Sequence, residues 1–196
     1  MADGKMNIGV LALQGDFREH VQALQTLNAS PKLVRLPEDL TGLAGLIIPG
    51  GESTTIGKLA VAYHLIDPIR EFGKKRAIWG TCAGAIFLSK DVHREQPLLQ
   101  LMDIRVERNA FGRQVDSFEI DLQVPFFDDG TLNPYHAVFI RAPIISQVGD
   151  DAQTLLTLPD GRIVAARQNK LLATSFHPEL TSDTRFHQYF LDLARS

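Results

Sequence analysis

The sequence predicts an α/β fold, an open and mostly parallel sheet with helices on both faces and extra antiparallel strands in the second half. Three observations lead there. Short apolar runs alternate with helical spacings through the first half of the chain. Glycine-containing turns close those runs, as strand-to-helix turns require. Beyond residue 115 the pattern changes to apolar–polar alternation and a hairpin signal.

The elements follow in order. Residues 7–13 (NIGVLAL) are the kind of apolar run that makes a buried parallel strand. Gly15 breaks it, and Asp16 with Glu19 has the spacing of an N-cap and its capping-box partner. Phe17, Val21, Leu24 and Leu27 then recur at helical spacing. Residues 32–36 predict a second strand and 46–48 a third, which ends at Pro49-Gly50-Gly51. A helix over 54–65 and a short one around 69–72 follow, then a buried strand over 77–79 ended by Gly80 and a helical run over 83–89. Residues 115–124 (VDSFEIDLQV) alternate as a half-buried strand does. Asp160-Gly161 between two apolar runs signals a hairpin. A strand over 171–176 leads to His177-Pro178-Glu179, and the chain closes in a helix with Phe186, Tyr189, Phe190 and Leu193 on one face. With no repeat, low-complexity tract or linker, residues 1–196 are expected to form one domain.

Bulk properties narrow the function. Hydrophobic residues at 44% and charged ones at 22% suit a soluble globular protein. A net charge of −3 without any Lys/Arg run argues against nucleic acid and anionic membranes as partners. The first residues lack a signal-peptide pattern, and no stretch nears the roughly 20 apolar residues of a membrane span. The single cysteine excludes an intramolecular disulfide, so a reducing cytoplasm is the expected compartment.

That cysteine carries the strongest chemical signal. Ala77-Ile78-Trp79-Gly80-Thr81-Cys82-Ala83-Gly84-Ala85-Ile86 is an apolar strand, then Gly-x-Cys-x-Gly, then a helical run. It is the nucleophile elbow with cysteine in the serine position. Such a turn exposes the thiol above the sheet, at a helix N-terminus that favours the thiolate. The N–H of Ala83 points to the same place and can stabilise an oxyanion. A small buried residue between glycines is the competing explanation; the strand before and helix after favour a nucleophile.

A thiol nucleophile needs a base with a fixed tautomer. Of six histidines, His20, His64 and His187 fall within helical segments and are expected to be solvated or partly packed. His93 and His136 sit near loops without another signal. His177 stands at a strand end, and Glu179 follows two residues later with Pro178 holding the chain extended. Alternate residues of an extended segment face the same way, so His177 and Glu179 can form the base–carboxylate pair. The order nucleophile, histidine, acid differs from that of α/β-hydrolases and argues against an esterase.

Pro49-Gly50-Gly51-Glu52-Ser53-Thr54-Thr55-Ile56-Gly57-Lys58-Leu59 invites a phosphate-loop reading, but the glycine spacing is one residue too long and Leu59 replaces the Ser/Thr. Instead, the loop shares the sheet's carboxyl edge with Cys82. Its Gly50-Gly51 backbone can supply a second oxyanion donor, and Ser53 can meet polar ligand groups. No metal-ligand spacing is present in the sequence.

Together these residues resemble the class I glutamine amidotransferase family, whose glutaminases have a flavodoxin-like fold. Within it, the chain is most similar to the glutaminase subunits of pyridoxal 5′-phosphate synthases, from Gly9 to the last helix. The most specific pieces are Leu13-Gln14-Gly15, the loop from Pro49 to Thr55, Gly80-Thr81-Cys82-Ala83-Gly84, the stretch from Val106 to Glu119, Phe139-Ile140-Arg141-Ala142-Pro143 and Ser175-Phe176-His177-Pro178-Glu179-Leu180. The resemblance implies a Cys82-His177-Glu179 triad, with an oxyanion hole at Gly51 and Ala83. It also implies an L-glutamine site made by Gly51, Glu52, Ser53, Arg108, Ile140 and Arg141. Of these, Arg108, Ile140 and Arg141 come from the resemblance alone. It implies no bound cofactor, and a partner in a hetero-oligomeric complex, a (β/α)₈-barrel synthase subunit that receives the ammonia. Two rivals remain: a cysteine peptidase-like hydrolase on the same fold, and a catalytically inactive assembly subunit.

Overall fold

The computed structural model describes residues 5–92, 95–108, 117–129 and 132–196. In chain order the first half contains β1 (Asn7–Leu11), α1 (Phe17–Thr26), β2 (Ser30–Val34), β3 (Gly45–Ile48), α2 (Ser53–Ala62), α3 (Ile66–Gly73), β4 (Ala77–Thr81) and α4 (Ala83–Leu88). The second half is strand-rich: β5 (Ser89–Asp91), β6 (Met102–Glu107), β7 (Ser117–Leu122), β8 (Tyr135–Ile140), β9 (Ile144–Val148), β10 (Gln153–Thr157), β11 (Ile163–Gln168) and β12 (Leu171–Thr174), before the closing helix α5 (Arg185–Arg195).

The main sheet runs β2-β1-β3-β4-β12-β11-β9-β6-β5, with β10 paired to β11; β7 and β8 form a separate antiparallel ribbon. The half from β2 to β12 is parallel throughout, whereas β11 pairs antiparallel with β12, β9 and β10. Strands β3, β4 and β12 are buried along their whole lengths. That is the physical reason for their mostly apolar spelling, broken only by the buried Thr81 and Thr174 at two strand ends: a strand covered on both faces has no solvent side to mark with polar residues.

Two cores lie on the two faces. Leu46, Ile48 and Ile78 point into one, with Ile56, Ala60, Ile69 and Phe87 from α2, α3 and α4. Ile8, Val10, Ile47 and Trp79 point into the other, with Leu24 of α1, Phe186 and Phe190 of α5, and Tyr135 and Phe139 of the ribbon. Burying each such large side chain contributes roughly 1.5–3 kcal/mol relative to exposure. The predicted α/β architecture, with antiparallel additions in the second half, is the one observed.

Some boundaries differ from expectation. The helix expected over 54–65 is α2, Ser53–Ala62, because the Glu52 carboxylate caps it by accepting from the N–H groups of Thr54 and Thr55. Asp16 precedes α1 but makes no cap hydrogen bond, so the predicted capping box with Glu19 does not form. Of the strand expected over 115–124, residues 115 and 116 lie outside the described residues, and β7 covers Ser117–Leu122. No helix among the described residues is long and apolar enough to cross a membrane.

Candidate active site

The strand order fixes where chemistry can gather. Strand β1 is followed by β2 on one side and then β3 on the other, so the connections after β1 and β3 diverge and leave a crevice at their carboxyl ends. Gln14, Gly15 and Asp16 follow β1; Gly50, Gly51, Glu52 and Ser53 follow β3; Cys82 follows β4; His177 lies just beyond β12. A cavity of about 430 Å³ opens there, lined by Gly51, Glu52, Ser53, Cys82, Ala83, Arg108, Ile140, Arg141 and His177. Every residue of the implied triad, oxyanion hole and glutamine site therefore lines it except Glu179, which is buried and bonded to His177. The volume suits a small polar molecule.

Cys82 sits at the turn between β4 and α4 with φ 48° and ψ −106°, a backbone conformation that side-chain-bearing residues rarely adopt. The turn is held by the Cys82 N–H donating to the Thr174 carbonyl at 2.8 Å. The flanking glycines are required by close approach, since a Cβ on Gly80 would lie 2.4 Å from the Gly84 carbonyl oxygen and one on Gly84 2.0 Å from that of Ile48. Ala83 opens α4, so its N–H has no acceptor within the helix.

His177 is fixed from two sides. Its N–H donates to the Val138 carbonyl of β8 at 2.8 Å. Its Nδ1 lies 2.7 Å from Glu179 Oε1 in a buried hydrogen bond. The ionised carboxylate can only accept, so the proton rests on Nδ1 and Nε2 is left for chemistry. Burial pushes the imidazole pKa down, but hydrogen bonds to Cys82 and Glu179 and their charges outweigh it and lift it to about 10. Burial also raises the Glu179 carboxyl, against the pull of His177. The site thus favours an imidazolium beside the thiol.

The rest of the cavity is a braced loop. The Gly50 carbonyl accepts from the Asp16 N–H at 3.1 Å, and the Glu52 N–H donates to Gln14 Oε1 at 2.7 Å. Glu52 Oε2 accepts from the Thr55 N–H at 2.7 Å and its hydroxyl at 2.8 Å, and also from the Thr54 hydroxyl. Burial opposes ionisation of Glu52, yet these donors prevail and hold its carboxyl at about 2. Arg108 donates from Nη2 to Glu52 Oε1 at 3.1 Å.

Several residues escaped the sequence reading. Gln96 reaches the site, 3.5 Å from both Ser53 Oγ and Arg108 Nη1. Asp16, expected to cap a helix, turns its carboxylate toward the cavity, with Oδ2 3.7 Å from His177 Nδ1. Asp16, His177 and Glu179 each place one potential ligand atom within 4.8 Å of the others, a grouping that no local spacing announced. The Nδ1 proton held for Glu179 occupies the imidazole's ligand position there. His20 and His187, expected to be solvated or partly packed, are wholly buried; His64 follows α2 in a turn with φ 57°. His136 lies on β8, hydrogen-bonded to Asp121 and Glu119. His93, Asn109 and residues 111–116 of the motif ending at Glu119 lie outside the described residues.

Known proteins are similar to this chain over nearly its whole length. The model of the SNO glutamine amidotransferase family matches residues 10–195. A pyridoxal 5′-phosphate synthase subunit PdxT from Herpetosiphon aurantiacus is 58% identical over 193 residues, 96% of this chain and 100% of that protein. Another from Moorella thermoacetica is 53% identical, covering 96% and 99%. A crystal structure of a glutamine amidotransferase superposes with a TM-score of 0.90 at 53% identity, covering 96% of this chain and 99% of the other. The PurLQS structure from Thermotoga maritima shares the fold at a TM-score of 0.71 and 17% identity, covering 96% and 99%.

Proposed function

The chain belongs to the SNO glutamine amidotransferase family, and from that premise we propose that it hydrolyses L-glutamine to glutamate and delivers the ammonia to a synthase subunit that makes pyridoxal 5′-phosphate. The observation that carries the proposal is the buried 2.7 Å hydrogen bond from His177 to Glu179, set beside a cysteine at φ 48° in one cavity. The relatives, named as subunits of pyridoxal 5′-phosphate synthase, support the assignment to vitamin B6 biosynthesis. They weigh against the peptidase and inactive-subunit rivals.

The triad Cys82-His177-Glu179 runs the reaction. The Cys82 thiolate attacks the side-chain amide carbon of glutamine, and the N–H groups of Ala83 and Gly51 hold the oxyanion. His177 gives its Nε2 proton to the leaving nitrogen; the C–N bond breaks and ammonia departs, leaving a glutamyl thioester. His177 then takes a proton from water, which attacks the thioester and returns glutamate and the thiol. Glu179 keeps the imidazole in the right tautomer throughout. Arg108, Glu52, Ser53, Ile140 and Arg141 line the space for the amino acid's α-carboxylate, α-amino group and methylenes.

Ammonia is mostly protonated at neutral pH and then no nucleophile, so a partner must receive it away from water. We assign that role to a (β/α)₈-barrel synthase subunit in a hetero-oligomeric complex in the cytoplasm, with residues 1–196 acting as one glutaminase domain that carries no cofactor of its own. Glutamate release from glutamine, with and without a synthase subunit, tests the proposal. Absence of glutamate in both samples, from a protein whose Cys82 is intact, would end it.

A further inference from the structure

Beneath the triad lies a polar layer that the hydrolysis as written does not use. His20 of α1 and His187 of α5 are both 0% exposed. His20 Nδ1 lies 3.0 Å from His187 Nε2. On its other side, His20 Nε2 is 3.2 Å from Thr81 Oγ1 and 3.4 Å from Glu179 Oε2. Thr81 immediately precedes Cys82, so one imidazole touches both the neighbour of the nucleophile and the carboxylate that orients the base.

The Oε2 oxygen of Glu179 has no well-aligned hydrogen bond of its own. A buried carboxylate oxygen without a donor is costly, and the cost falls on the ionised form. His20 Nε2 is the donor nearest to hand. It lies 3.4 Å from Oε2 and 3.2 Å from Thr81 Oγ1, so a proton on it would face both oxygens.

Proton bookkeeping selects one arrangement. If His20 carried its proton on Nδ1, it would donate to His187 Nε2. His187 would then hold its proton on Nδ1, which has no partner, and the His20 Nε2 lone pair, accepting from the Thr81 hydroxyl, would leave Glu179 Oε2 without a donor. If instead His20 is protonated on Nε2, that N–H faces Thr81 and Glu179, and Nδ1 accepts from the His187 Nε2–H. Of the two imidazoles' nitrogens, only an acceptor, His187 Nδ1, is then left alone, and buried acceptors go unpaired more readily than N–H groups. A doubly protonated His20 is disfavoured, because burial, then His187 and His177, push its pKa well down.

Given the triad proposed above, we propose that His20 is a positioning residue for it. Its Nε2–H, oriented by His187, faces the outer oxygen of Glu179 and keeps the carboxylate ionised with its inner oxygen on His177. His20 touches neither substrate nor reacting atoms. The Trp79 ring packs edge-on against both imidazoles, with centroids 5.8 Å from His20 and 5.0 Å from His187, which fixes their planes. The other charged group near the base, Asp16, sits on the cavity side and cannot replace a donor to Oε2.

The test uses the full chain with its synthase subunit at saturating glutamine. His20→Leu, which removes the donor, is expected to lower kcat about 10- to 100-fold, the scale of a misplaced catalytic group, with KM nearly unchanged. His20→Gln, which restores an N–H at the Nε2 position, is expected to recover most of the loss. The pH profile of His177 titration, read by NMR, should move downward in His20→Leu, because a weakened Glu179 charge supports the imidazolium less well. A folded His20→Leu protein with wild-type kcat and profile would overturn the inference. Should that variant not fold, ¹⁵N NMR of histidine-labelled wild type decides: the Nε2–H tautomer of His20 supports the proposal and the Nδ1–H tautomer refutes it. Glu179→Gln separates the two levels. If it remains fully active the triad itself fails, whereas an impaired Glu179→Gln beside an unaffected His20→Leu removes only the role of His20.

Discussion

Arg108 and Glu52 meet at 3.1 Å across the cavity, from the end of β6 and the cap of α2. The cation is thus partly committed before any ligand arrives, and it is held in place by a carboxylate that stays ionised to a pH of about 2. A bound amino acid's α-carboxylate would meet an arginine already oriented rather than one drawn from solvent.

Arg108→Ala is therefore expected to weaken glutamine binding by about 1.5–3 kcal/mol, the scale of a charged hydrogen bond. The effect should appear mainly in KM. A normal Michaelis constant would remove Arg108 from the substrate site.

Cys82→Ala should abolish glutamate release while leaving the fold intact. A diazo-ketone analogue of glutamine should label Cys82 and nothing else. Label on another residue, or turnover without the thiol, would exclude Cys82 as nucleophile.

A synthase subunit is expected to raise turnover. The Gly50 carbonyl is tied to the Asp16 N–H, and the N–H of the same trans peptide, on Gly51, points the opposite way. Glycine permits either orientation of that peptide, so docking can select the one that completes the oxyanion hole, with Gln14 as the contact that senses it. One oxyanion donor is worth about 10²–10³ in kcat. Equal rates with and without the partner at saturating glutamine would mean that the free chain already has the hole formed.

Gly15 holds the first of these loops open. Its φ is +99°, and a Cβ there would lie 1.7 Å from the Gly50 oxygen. Gly15→Ala should cost about 1–3 kcal/mol from crowding, with backbone strain in addition, and should depress kcat. Gly161, with φ +87° and open space around it, provides the control. Gly161→Ala should show the strain in denaturant unfolding and leave hydrolysis untouched.

Stability should fall on both sides of neutrality, for different reasons. Burial lowers the pKa of His187 from 6.5 to about 4 and holds that of His20 well below 6.5. The unfolded chain takes up these protons first, so stability present above pH 6.5 is lost as the pH drops toward 4. His177 runs the other way: its contribution is complete below 6.5 and is lost as pH rises through about 10. Thermal melts across this range should show the acid-side loss shrink in His187→Leu. An unchanged acid slope in that variant would mean that other groups carry the effect.

The sequence made the parallel half of the sheet plain because its strands are buried on both faces, leaving runs such as Leu46-Ile47-Ile48 that only a covered strand tolerates. The elbow was legible for a similar reason, since Gly80 and Gly84 meet backbone oxygens that exclude any side chain. The buried layer under the triad was not. His20 and His187 obey helical spacing and are polar, so nothing local distinguishes them from a solvated face. Their burial depends on α1 and α5 packing side by side over Trp79, a contact between residues 167 positions apart. Asp16 misled for a related reason: it has the identity and position of a cap, but its carboxylate is turned toward His177 instead. Gln96 has no motif of its own and reaches the site only because its segment passes Ser53 and Arg108.

The ribbon of β7 and β8 ties two ends of the reaction to one object. Its Val138 carbonyl holds the backbone of His177, and two residues later Ile140 and Arg141 form the cavity wall. The pairing Phe118↔Phe139 and Glu119↔Val138 sets which faces look inward, and a slip of one residue would exchange them all. The spacing between His177, the proposed base, and the cavity wall is therefore a matter of strand register. Such a spacing changes in whole residues or not at all, so a one-residue insertion in β8 between Val138 and Ile140 would move the cavity wall away from His177 in one step rather than by degrees.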